Sequence, residues 1–316
     1  MSHDEQLRAL FSDIAGQAHD PARLAPEIVA RARTHRQRRG LLMAAGAAGT
    51  TAVLGGTGVA GWLWSSRTTP VAEGPGIRVP LRYGLGWVPA GFAEESRSAT
   101  VPGSGVEEQG RNWRGDGQIY LQLEPAQMNL RRHLRTTTIA GRLAWDFPGE
   151  PSHQIYLEID DETWLMVGAR VPGNKADVAR KLAESVTAES SAVCEVSLTF
   201  GWLPERFAGV RTIGLGRIAK STNETLIVQH KDGPARIVVQ MGPIPEPSPG
   251  GTRATVRGHD ALVREGSVPL VDVDLGGDRR LRLSGLSPQD VTLEELIHVA
   301  NEVRIGRPPD TSWLQR

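Results

Sequence analysis

Gly86-Trp87-Val88-Pro89-Ala90-Gly91-Phe92 returns later in the chain as Gly201-Trp202-Leu203-Pro204-Glu205-Arg206-Phe207, and this repetition constrains the fold more than any other feature. Two further stretches return in the same order at nearly the same offset. Thr138-Ile139-Ala140-Gly141-Arg142-Leu143-Ala144 matches Thr255-Val256-Arg257-Gly258-His259-Asp260-Ala261, and Ile119-Tyr120-Leu121-Gln122-Leu123 matches Ile237-Val238-Val239-Gln240-Met241. Each copy also ends alike, with Gly168 or Gly285 closing a strand ahead of a helix in which Ala183-x-x-Val186 matches Ala300-x-x-Val303. A chain that repeats at domain length builds one supersecondary unit twice.

Inside a copy, period-two apolar runs separated by turn residues predict hairpins. Asp116-Gly117 and Asp232-Gly233 read as turns, where glycine tolerates a positive φ without steric cost, and Asp160-Asp161-Glu162 and Gly276-Gly277-Asp278 separate further extended runs. Val178, Ala179, Leu182 and Val186 in the first copy, and Leu293, Leu296, Ile297 and Ala300 in the second, repeat at helical spacing, with Thr292-x-x-Glu295 as a capping box. The expected class is α+β: two tandem antiparallel-sheet modules, residues 78–190 and 191–306, each closed by a C-terminal helix, then a disordered tail over 307–316. The Gly-Trp-x-Pro element is expected to turn and plug its ring into the core. Trp87, Phe92, Trp202 and Phe207 are otherwise candidates to line a ligand groove.

Ahead of the repeat, Leu41 to Trp64 contains no Asp, Glu, Lys, Arg or His and follows a run rich in arginine. About 20 uncharged residues suffice to cross a bilayer as a helix, so residues 41–64 are expected to be a transmembrane helix. Arg36, Arg38 and Arg39 on one flank and Trp62 and Trp64 on the other anchor it. The positive-inside rule then places the N-terminus in the cytoplasm and the bulk of the chain outside, in a single-pass membrane arrangement. A buried Gly/Ala helix of a soluble protein is the rival reading. Arg38-Arg39-Gly40-Leu41-Leu42 resembles a twin-arginine export pattern, which leaves Sec and twin-arginine routing open. Residues 65–77, with Ser, Thr, Gly and Pro and no periodicity, read as an extracytoplasmic linker.

Residues 1–40 read as a cytoplasmic helical segment. Ser2-x-x-Glu5 has capping-box spacing, and Leu7, Leu10, Phe11 and Ile14 form an apolar stripe; Asp20-Pro21 starts a second helix. Two short helices make no core, so the stripe is a candidate surface for the lipid bilayer, a second copy or a cytoplasmic protein partner.

The chain's 36 basic and 36 acidic side chains balance, with the positive excess gathered between Arg23 and Arg39. No nucleic-acid partner is expected for the larger portion. One cysteine, Cys194, forms no internal disulfide. The eight histidines show no ligand spacing, and no metal site or cofactor is expected. Asp272-Val273-Asp274 with Gly276-Gly277-Asp278 faintly matches the start of a calcium loop, but Leu283 would fall where such a loop needs its last carboxylate. Ser104, between Gly103 and Gly105, lacks the strand-then-helix setting of a nucleophile elbow, and Asp160-Asp161-Glu162 reads as a solvated turn. No catalytic residue set is expected.

Trp87 to Phe92 with Trp164 to Val186, and Trp202 to Phe207 with Leu281 to Val303, together resemble the tandem extracytoplasmic domain of actinobacterial single-pass membrane proteins, including anti-sigma-factor-like regulators. The resemblance covers about two thirds of the chain and implies an envelope regulator or sensor with no catalytic residues. Residues 1–40 lack the larger sigma-binding region and the His/Cys zinc motif of such proteins. The expected function is therefore non-enzymatic: a duplicated outer domain that binds an extracytoplasmic protein or cell-wall component and regulates a cytoplasmic partner. The alternatives are a structural scaffold of the cell envelope and an enzyme acting on the cell wall.

Overall fold

Alternating small and branched residues make strands of nearly every periodic run in both copies. A computed structural model describes residues 76–105, 107–125, 135–149, 151–188, 191–218, 221–244, 250–286 and 291–315. The expected cytoplasmic segment with Leu7, Leu10, Phe11 and Ile14, the expected span with Arg36, Arg38, Arg39, Trp62 and Trp64, and nearly all of the expected linker lie outside the described residues. Among the described residues no helix is long and apolar enough to cross a membrane.

The first copy holds β1 (Ile77–Pro80), β2 (Tyr83–Leu85), β3 (Ala93–Thr100), β4 (Gln109–Gly115), β5 (Gly117–Pro125), β6 (Arg135–Ile139), β7 (Arg142–Phe147), β8 (His153–Asp160), β9 (Thr163–Arg170), helix α1 (Lys175–Glu184) and β10 (Val186–Ala188). The second repeats it with β11 (Val193–Val196), β12 (Leu198–Phe200), β13 (Arg211–Ile218), β14 (Ser221–Gln229), β15 (Arg236–Gly242), β16 (Thr252–Val256), β17 (His259–Arg264), β18 (Leu270–Asp274), β19 (Arg280–Leu286), helix α2 (Leu293–Glu302) and β20 (Val303–Ile305). Fourteen of these strands form one antiparallel sheet in the order β16-β17-β18-β19-β15-β14-β13-β3-β4-β5-β9-β8-β7-β6.

This sheet corrects the expected α+β pair of modules, each closed by its own helix; the transmembrane helix expected ahead of them lies outside the described residues. The described chain is mostly β, and the two copies are halves of a single sheet joined where β3 pairs with β13. The physical reason is the edge. Either half alone would leave β3 or β13 with a row of unpaired backbone groups, and pairing the two removes both rows. The register is centred: Ser98 faces Gly214, Ala99 faces Ile213 and Arg97 faces Leu215. Ser98 and Gly214 are equivalent positions of the two copies, so a local pseudo-twofold axis passes between them. The ladder β1 to β11 obeys the same axis, with Ile77 facing Val196 and Pro80 facing Val193, and β11 packs on β3 and β13.

Both helices cover the same face of the sheet. Ala179, Leu182 and Ala183 of α1 join Ile119, Leu121, Leu157 and Val167, while Leu296, Val299 and Ala300 of α2 join Val239, Val271, Val273 and Leu283. After β20 the chain does not trail free as expected. A 3-10 turn at Ser312–Gln315 lays Trp313 over the Arg97 guanidinium at 3.9 Å and buries Leu314.

Candidate binding face

Strand alternation sends every second side chain to the face opposite the helices, and there the two copies part company. In the first copy that face carries Tyr120, Trp145, Tyr156, Trp164 and Met166, each at most 8% exposed. Trp145 and Trp164 stack with ring centroids 4.7 Å apart, and Tyr156 meets Trp164 edge to face at 5.6 Å. Tyr120 lies across Gly168, where a Cβ would come within 2.0 Å of its ring. Its hydroxyl donates to Ser152 Oγ at 3.0 Å and accepts from Gln154 Nε2 at 2.9 Å.

At the matching register positions the second copy keeps smaller apolar residues for two rings, Val238 for Tyr120 and Leu262 for Trp145, and places charges at the other three. Asp272 stands for Tyr156, Arg280 for Trp164 and Arg282 for Met166. The Asp272 carboxylate is fully buried, with Arg280 Nε at 2.6 Å from one oxygen and Arg282 Nε at 2.6 Å from the other. The two guanidiniums thus hold the carboxylate from both sides, which supplies the pairing that a buried charge requires. The calcium-loop reading of this segment gives way for the same reason: both oxygens of Asp272 are bound to arginine.

Between the two halves the face is lined mostly by glycines and small polar residues on β14, β13, β3 and β4, with Ile227 opposite Thr212. Two of its polar atoms, Thr100 Oγ1 and Asn223 Oδ1, are buried without a hydrogen-bond partner. Each such atom costs about 1–3 kcal/mol.

The helix-covered face holds a second charged cluster that no sequence motif announced. Arg97 and Arg111 each fork onto Glu94, with four N–H to carboxylate bonds between 2.7 and 2.9 Å. Burial opposes ionisation of Glu94, yet the hydrogen bonds from Arg97 and Arg111 outweigh it and hold the carboxyl below the usual range. Arg97 also donates to the Val193 carbonyl at 2.9 Å, tying β3 to β11. On the same face, Glu224 accepts from the Ser197 backbone N–H and, at 2.8 and 3.0 Å, from its hydroxyl. Burial pushes the Glu224 carboxyl up despite these donors.

The remaining sequence candidates fall into structural roles. Trp87 is half-buried and packs against the core of the first half with Lys181 Nζ of α1 4.1 Å from its ring, whereas Trp202 does not plug the core: it is 38% exposed and meets His298 of α2 at 4.1 Å. Phe207 fills the core instead, fully buried. Ser104 Oγ donates to the Val101 carbonyl at 2.6 Å and accepts from the Arg211 N–H at 3.1 Å, which fastens a loop. Asp160 Oδ1 accepts from the Glu162 N–H at 3.0 Å within an exposed turn. Among the described residues no group of three His, Cys, Asp or Glu side chains converges as metal ligands would. Burial raises the Cys194 thiol to about 12, so it stays protonated and unreactive at neutral pH.

No protein-family model matches the chain, and no curated protein matches it in sequence. Two solved structures are similar over part of its length. The MucA/MucB complex of Pseudomonas aeruginosa shares 14% identity at a TM-score of 0.22, covering 68% of this chain and 94% of that one. MucB in complex with MucA(peri) shares 15% at the same score, covering 68% and 93%.

Proposed function

We propose that the protein is a non-enzymatic binding protein whose duplicated sheet takes a protein or another component of the cell envelope. The observation that carries this reading is the divergence of one face. Both copies keep the apolar packing under α1 and α2, while the opposite face carries stacked aromatic rings in one copy and the Asp272, Arg280 and Arg282 cluster in the other. The difference reaches the surface on the outer strands, where Leu143 and Phe147 of the first copy are matched by Asp260 and Arg264 of the second, and a surface that differs between copies fits recognition. Leu143 and Phe147, 41% and 37% exposed, flank Trp145 on that face beside the edge strand β6 and extend its apolar character to the surface.

The uncharged run 41–64 and the arginines before it support a place at the membrane with the sheet outside the cytoplasm, and residues 1–40 then relay its occupancy to a cytoplasmic partner as an anti-sigma-like regulator would. The test uses a photo-crosslinking residue at Phe147 in living cells, compared with one at Arg180 on the outer side of α1. A discrete adduct from Phe147 alone supports the reading. Equal adducts from both positions, or turnover of cell-wall material by the purified protein, would sink it. Location is tested separately with Asp274→Cys: a membrane-impermeant maleimide should label intact cells, the native Cys194 being buried and silent.

A further inference from the structure

We propose that the small-residue floor along the pseudo-twofold axis seats an extended polypeptide segment of a partner, acidic where it crosses toward the second copy. The proposal rests on the binding reading above and names its surface and ligand class. Ser96 and Ser98 of β3, Gly214 and Gly216 of β13, Asn112 of β4 and Thr225 of β14 share the face opposite the helices. No side chain larger than Asn or Thr rises from these positions, and a Cβ at Gly214 would meet only Arg97 O at 3.7 Å and Thr225 Cβ at 3.8 Å. A backbone can therefore approach the sheet closely here.

The second observation is the pair of unsatisfied atoms. Thr100, opposite Thr212, and Asn223, opposite Gly216, project to the same face at opposite ends of the floor, 4% and 7% exposed, and neither Thr100 Oγ1 nor Asn223 Oδ1 has a partner. Along the strands the two levels lie four ladder steps apart, roughly 13 Å, and β13 between β3 and β14 adds roughly 10 Å across them, so the two sites are roughly 16 Å apart. That is the length of about five residues of an extended chain that crosses the strands obliquely. Asn223 Oδ1 asks for a donor, which a backbone N–H supplies; Thr100 Oγ1 accepts or donates. An oligosaccharide fits less well, because sugar rings stack on open aromatic faces and the Tyr and Trp rings of this face are all buried.

Charge fixes the polarity of the partner. On the second-copy side of the face, Arg236, Arg253, Arg264, Arg280 and Arg282 outnumber Asp260, Asp272 and Asp274. Acidic side chains passing over that half meet a net positive field.

The experiment measures binding of three probes to the full-length protein: a Glu-Val-Thr repeat peptide, its Lys-Val-Thr counterpart and a chitooligosaccharide. The acidic peptide is expected to bind, more weakly as salt rises. Gly214→Leu, which fills the floor without backbone strain, and Arg264→Glu, at a partly exposed site, should each weaken it by about tenfold, while Arg180→Glu on α1 changes nothing. Thermal melts confirm folding, and Arg264→Glu carries the test if Gly214→Leu unfolds. Binding indifferent to the floor and charge variants overturns the proposal. So does preference for the basic peptide or the absence of peptide binding. Binding of the chitooligosaccharide alone rejects the polypeptide while leaving the broader binding reading intact.

Discussion

Gln109 and Glu224 occupy equivalent positions and do the same job with different chemistry. Gln109 Oε1 accepts from the Arg82 N–H at 2.7 Å, and Glu224 accepts from the Ser197 N–H, each just past the first strand of its copy. Only the carboxyl bears a cost of ionisation. Its folded pKa lies above the unfolded value because burial disfavours the charge, so the unfolded chain loses that proton first as pH rises. Stability from this group is therefore greatest below the ordinary carboxylate range and falls as pH climbs to the raised folded value. Glu224→Gln keeps the acceptor and should match the native protein in melts near pH 4, then exceed it increasingly through that window before the difference levels off. A constant difference at all pH would show that Glu224 is not ionising in place. Glu94 runs the other way. Its folded pKa is lowered, so its contribution is present above the unfolded value and is lost as pH falls through the folded one. Glu94→Gln leaves Arg97 and Arg111 buried around a neutral amide, and urea unfolding at neutral pH should show a loss of about 3–5 kcal/mol.

The helices show how far the repeat is a repeat. Asn174 caps α1 by accepting from the Asp177 N–H, and Thr292 with Glu295 forms a complete capping box on α2. The second helix is held at both ends by groups the first lacks. Arg206 binds Glu295, and Arg257 donates to the carbonyls of Ala300, Asn301 and Val303, filling the C-terminal acceptors that a helix leaves open. At the position of Arg257 the first copy has Ala140. Arg257→Ala should lower hydrogen-exchange protection in the last turn of α2 and cost about 1–2 kcal/mol, with α1 unchanged. Much at this scale was legible from sequence. The capping box at Thr292, the apolar stripe of α2, Val178, Ala179 and Leu182 of α1, and the Asp-Gly and Gly-Gly turns stand where local pattern puts them, because each depends on residues a few positions apart, whereas Val186 lies beyond the helix and pairs with Leu85 in β10. Trp87 packs against the core of its half as the motif suggests but Trp202 does not, since a turn motif fixes a backbone bend and says nothing about which surface the ring meets. The clusters on Glu94 and Asp272 were invisible for a related reason. Strand pairing brings Arg111 to Glu94, and Arg280 and Arg282 to Asp272, and no periodicity reports on pairing partners.

Repetition in the sequence announced two units but not how they join. A repeat is equally compatible with two closed modules on a tether and with one sheet continuing through both, and the choice lies in residues that carry no motif. Here Ser98 and Gly214 let β3 and β13 approach on a pseudo-twofold axis, and β1 and β11 cross-pair above them. Arg97 stitches the layers, reaching Val193 of the second copy while Trp313 from the chain's last turn covers its guanidinium. The hydrophobic core of the second half likewise includes Val79, Leu81 and Ala99 from the first. Neither half is then a complete domain. Residues 76–190 produced alone would expose the bare edge of β3 and lose the partner of β1; residues 191–316 would expose β13 and open the core that Val79 and Leu81 fill. Each is expected to aggregate or remain unfolded by circular dichroism, whereas co-expressed halves should assemble into one soluble species on gel filtration. The joined protein should unfold in a single transition followed alike by fluorescence and circular dichroism, because separating the copies breaks both ladders and the core together. Two well-resolved transitions, or a soluble and folded first half, would mean that the β3 to β13 ladder is an interface between independent domains and not the middle of one.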